Sequence, residues 1–177
     1  ITLTLVSLNM SSLFKGVFDY QIEANAPYDI NIADDKEKYE SYLDFIEREY
    51  TILETFTYDA YQDTNNNVIQ YLGDSWRSND LVLKLSDYNK LLEMKGMDPV
   101  TLNKDEYILH VAREWKDTLN ISDLKNITLS NGISLHQKEF RTEGYTFSWA
   151  YGYGFVIIVP DEAVERLSVS ESHLIVD

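Results

Sequence analysis

Cysteine is absent from the 177 residues of this sequence, which excludes disulfides, thiol nucleophiles and thiolate metal sites together. Basic residues are scarce. Fifteen Lys and Arg stand against 30 Asp and Glu, for a net charge of −15. Phosphate contacts need clustered Lys and Arg, so this balance argues against a general nucleic-acid binder. It equally disfavours docking on anionic lipid headgroups, and it would attract a cationic partner.

The usual catalytic signatures are also missing. No P-loop, GxGxxG, GxSxG or HExxH pattern occurs. His110, His136 and His173 are far apart in sequence and read as isolated strand residues, so no zinc-ligand spacing forms. From Asp63 the pattern D-x-N-x-N matches the start of a calcium hand loop. The match then fails, because the sixth position is Val68 and the twelfth is Asp74. A hairpin tip explains that stretch better. Sequons begin at Asn9, Asn120 and Asn126 and would matter only in a eukaryotic secretory setting. The 30 carboxylates read as solvated helix faces; a glycosidase would need two of them paired across a cleft. The expectation is a noncatalytic chain with no metal and no cofactor.

What is present suits one domain with a real core, since 44% of the residues are hydrophobic. No linker or low-complexity segment divides it. Residues 1–14 carry no charge, yet they are too short and too rich in Ser and Thr to span a bilayer alone. Leu3, Val6, Met10, Leu13, Val17 and Tyr20 form one stripe at helical spacing. These features predict a membrane-proximal stalk helix over 1–24 and an α+β domain over 25–177. A transmembrane helix is expected upstream of Ile1, the whole being a domain cut from a longer protein; the alternative is an amphipathic core helix in a soluble protein.

Within the domain, YDINI reads as a strand. Asp34 and Asp35 then cap a helix carrying Tyr39, Tyr42, Leu43, Ile46 and Tyr50. TILETFTYDAYQ and VIQYL read as a hairpin turning at DTNNN. A strand ends at Ser86, which caps a short helix closed by Gly96, and EYILHV is another strand. Two strands join at Asn131-Gly132, and GFVIIVPDEAVERL is a buried strand running into a helix at Pro160. VLKLSDYNKLLE and VIIVPDEAVERL form a weak internal echo that aligns Asp87 with Asp161. The pattern predicts an α+β fold: a mixed or antiparallel sheet, a few short helices and the N-terminal stalk.

The stretch YTFSWAYGYGF places aromatic rings at alternate positions. If it is extended, all six rings share one face. Phe147 and Phe155 suit an inward position. Tyr145, Trp149, Tyr151 and Tyr153 carry polar groups suited to a contact surface, and are the candidate ligand-binding residues. The alternative is a core-facing strand. Gly152 and Gly154 suggest a bend before FVIIVP.

Three stretches resemble the large extracellular domain of FtsX-like ABC-transporter permeases, and most of all the bacitracin-export (Bce) type of Gram-positive bacteria. They are NAPYDINI, LVLKLSDYNKLLEMKGMDPVTLNKDEYILHV and YGFVIIVPDEAVERL. The resemblance implies a noncatalytic extracellular domain at the cell membrane, attached through flanking transmembrane helices. It also implies a cytoplasmic ATPase subunit, a peptide ligand and a membrane histidine kinase as partners. The function implied is to bind or sense antimicrobial peptides, or their complexes with lipid-linked precursors, and to couple this to transport and resistance. Other readings are a mechanical or scaffold domain that docks partner proteins, and a glycan-binding module.

Overall fold

The computed structural model describes residues 29–64, 80–111, 124–142 and 155–177. Eight strands are introduced in chain order: β1 (Ile30–Ala33), β2 (Thr55–Asp63), β3 (Asp80–Lys84), β4 (Glu106–Val111), β5 (Asn126–Thr128), β6 (Ser134–Arg141), β7 (Phe155–Val159) and β8 (Ser168–Val176). They form one sheet in the order β1-β8-β2-β3-β7-β4-β6-β5. Pairing is antiparallel except at β3–β7 and β4–β6, which are parallel.

The α+β expectation is corrected by this sheet, which dominates the described residues. Helix is limited there to α1 (Tyr39–Ile46), α2 (Leu85–Met94) and short 3-10 turns, the longer ones at Lys36–Lys38 and Asp161–Val164. The helix expected from Pro160 is only the 3-10 turn Asp161–Val164, and the chain after it returns as the nine-residue strand β8, whose apolar second half fills the sheet. The stalk helix expected over 1–24 lies outside the described residues, as does VIQYL. Strand β2 instead pairs with β8 and β3.

Alternation along the strands sends side chains to two faces. One face buries Tyr58, Ala60, Leu83, Ile108, Ile158 and Ile175 beneath Tyr88, Leu91 and Leu92 of α2. The other carries two clusters. Tyr61, Val82, Leu109 and Ile157 pack with Leu124, Leu129 and Val164, whereas Leu174 and Val176 are covered by Tyr39 and Ile46 of α1. Between these two clusters the paired residues Asp59 and Ser172 form a polar seam.

Gly96 ends α2 at a φ of +69°. Its N–H donates to Glu93 O (2.8 Å) and that of Met97 to Leu92 O (2.9 Å), a Schellman closure. A Cβ on Gly96 would meet no atom within 4 Å, so the only penalty for a side chain is the left-handed backbone. Gly96→Ala is expected to cost about 1–2 kcal/mol of unfolding free energy by urea titration.

At the β5–β6 hairpin, Gly132 has a φ of +89° while Asn131 keeps a negative φ. Gly132 N–H donates to Leu129 O, making a four-residue turn rather than a two-residue Asn-Gly turn, which needs both residues left-handed. Asn131 Nδ2 instead bonds Ala163 O (2.8 Å) and Glu165 O (2.9 Å), tying the hairpin to the turn after β7.

Candidate functional site

Strand β1 is short. Ala33 pairs with His173, Asp34 N–H donates to Ser172 O (3.3 Å), and the chain then turns into the 3-10 segment. Strand β8 continues to Ser168, paired with β2 on its other side. Where β1 stops, a groove of about 860 Å³ opens between Ala33–Glu37 and Val169–Ser172. Its charged side chains are Asp34, Asp35, Glu37 and Glu171 against Lys36.

The groove wall is held by two bonded carboxylates. Asp34 accepts from Lys38 Nζ (2.6 Å), the Tyr42 hydroxyl and the Asp35 N–H (2.7 Å). The bonds from Lys38 and Tyr42 hold its carboxyl down at about 2. Asp34 was expected to cap a helix; it is instead a hub joining the 3-10 turn to α1, and Asp35 makes no side-chain cap bond. Asp59 receives Lys36 Nζ at 2.7 Å and Ser172 Oγ at 2.6 Å. Desolvation pushes Asp59 up, but the bonds from Lys36 and Ser172 outweigh it and its pKa falls below the ordinary value. Burial pushes the Glu171 carboxyl up.

Beside the seam, the two echoed strand-to-helix units lie next to each other as the parallel pair β3–β7. The pairing, Val82↔Ile157, is one residue out of the sequence alignment. Ser86 was expected to cap α2. The helix begins one residue earlier, and Ser86 N–H donates to Asp161 Oδ1 (3.0 Å) from the neighbouring unit. Desolvation raises Asp87 to about 6, with Lys84 opposing and Asp161 adding to the rise. Lys84 lies 5.2 Å from the centre of the Tyr61 ring.

The three histidines occupy β4, β6 and β8 and do not converge. His110 is buried, with its Nδ1 3.2 Å from the Tyr88 hydroxyl and its Nε2 without a hydrogen-bond partner among the described residues. Desolvation lowers its pKa to about 3. His173 stacks on Tyr58 at 4.7 Å, its Nδ1 is 2.9 Å from Asn31 Oδ1, and burial lowers it to about 4. Among the described residues no group of three His, Asp or Glu could hold a metal ion. Asp63, the start of the calcium-like pattern, is buried and accepts the Ser130 N–H at 2.6 Å. Tyr145, Trp149, Tyr151 and Tyr153 lie outside the described residues.

No family model matches the chain, and no curated protein matches it. Among solved structures, a chain from Bacillus anthracis described as a candidate lipoprotein aligns at 10% identity. The alignment covers 82% of this chain and 81% of that one, with a TM-score of 0.45. A likeness at that score carries no argument about function. Among the described residues no helix is long and apolar enough to cross a membrane. The permease resemblance therefore rests on the three sequence stretches, of which 81–111 folds as β3–α2–β4.

The sequence reading missed the groove. Its two walls are more than 130 positions apart in the chain, and it exists only because β1 ends before β8 does. The one local signal was the acidic run beginning at Asp34.

Proposed function

We propose that this chain is a noncatalytic extracellular domain that binds cationic peptides. The setting is the one the sequence resemblance implies, a peptide-handling ABC permease at the cell membrane, with a cytoplasmic ATPase subunit and a membrane histidine kinase as partners. The observation that carries the reading is the open groove at the end of β1, with four carboxylates against one lysine. A net charge of −15 adds a long-range field that concentrates cations around it.

The test is a titration of the chain with bacitracin-like and other cationic peptides, followed by calorimetry at low and high salt. Binding is expected to weaken about tenfold or more at high salt, because exposed charges are screened beyond a Debye length. Replacing Asp35, Glu37 and Glu171 together by their amides is expected to remove most of that salt dependence. Salt-insensitive binding, or none, would sink the reading.

A further inference from the structure

We infer that the groove takes its peptide as an added β-strand, laid along the edge of β8 that β1 leaves uncovered. This rests on the peptide-binding reading above and specifies how that site works.

Strand β8 has nine residues, but β1 pairs only with His173–Val176. Asp34 N–H to Ser172 O is the last bond on that side. Beyond it, Ser168, Val169 and Glu171 are paired with β2 alone among the described residues, and Ser170 is the extra residue of a bulge. Four residues of strand give an open edge of about 13 Å. An unpaired row of N–H and C=O groups is a template for another strand, and proteins normally cover it or guard it with lysine. Here neither holds. The space beside the edge is the groove itself, and the guarding charges are acidic: Asp35, Glu37 and Glu171. Lys36, the one cation among the described lining residues, is drawn to Asp59 in the seam.

Main-chain bonds would give affinity, while alternate side chains meet the walls and give selectivity. On this edge they meet carboxylates and Val169, which is 49% exposed. The fitting occupant is an extended peptide alternating basic and apolar residues. A second copy of this chain is a poor occupant, since it would bring the same acidic groove against this one.

The probe is a ten-residue peptide alternating Lys and Val, compared with the same peptide N-methylated at every second residue. Methylation removes backbone donors and leaves every side chain and charge in place. Binding to the full chain is read by calorimetry, and amide hydrogen exchange locates it. The expected result is at least tenfold weaker binding of the methylated peptide, with exchange slowed at 168–171 by the unmethylated one. Equal binding of the two peptides would overturn strand addition while leaving the cationic-peptide reading intact. Failure of both to bind would remove that reading and this inference with it. Slowed exchange elsewhere but not at 168–171 would overturn the site. Protection of 168–171 that grows with protein concentration without peptide would assign the edge to a second copy, and would also overturn it.

Discussion

Lowering the pH from 7.5 to 5 is expected to remove about 3 kcal/mol of folding stability, and the cause is two buried histidines. Desolvation depresses His110 to about 3 and His173 to about 4, against an ordinary value of 6.5. Between those values and 6.5 the unfolded chain binds protons that the folded chain refuses, so stability falls as the pH falls. At pH 5 each histidine withdraws about 2 kcal/mol. Asp87 works in the opposite direction. Its raised pKa of about 6 means that its carboxylate opposes folding above that pH, and protonation relieves the opposition. Asp87 is partly solvated, so the return is about 1 kcal/mol after screening. Urea titrations at pH 7.5, 6.5 and 5 measure the slope. His110→Phe and His173→Asn should each remove about two thirds of it, and Asp87→Asn should steepen it. A flat profile would mean that neither histidine is held neutral by burial.

Ile158→Ala is expected to destabilise by about 2–5 kcal/mol. Ile158 pairs with Leu83 on one side and Ile108 on the other, at the middle of the sheet, and is 0% exposed. Truncation leaves a void beneath α2 that the three adjacent strands and the helix cannot all move to fill. Val169→Ala, on the open edge, should change stability by less than about 0.5 kcal/mol. The comparison uses the same urea titration. A loss below about 1 kcal/mol at Ile158 would show that this face is loosely packed.

Much of the local structure was legible in the sequence, and the pairing was not. LVLK, YILHV and FVIIV announced strands because each is a short apolar run with turn residues nearby. Gly96 marked the end of α2, since only a residue free to turn left-handed closes that motif cheaply. Strand β8 was harder to see. Its first half is polar, and the register shift between Ala60 and Tyr61 interrupts the alternation that would have marked it. The capping of α2 depends on Asp161, 75 positions away from Ser86, which no local pattern reports. The groove was hidden for the same reason, as it follows from one strand ending five residues before its neighbour. The aromatic run at 145–155 drew attention because its pattern is local. Phe155 begins β7, and the residues before it lie outside the described parts of the chain.

The position of β8 also bears on the order in which the domain assembles. It lies between β1 and β2, so among the described residues these two early strands have no direct ladder and both pair with β8. The bonds that fasten it connect positions 113 and 142 residues apart, at Ser172–Asp59 and His173–Asn31. Closing such long loops delays pairing, and contacts of this range slow folding. During synthesis, β1 and the adjoining edge of β2 must wait until residues 168–176 have emerged. A nascent domain halted before residue 168 would therefore expose two unpaired strand edges at once, the state most in need of a chaperone.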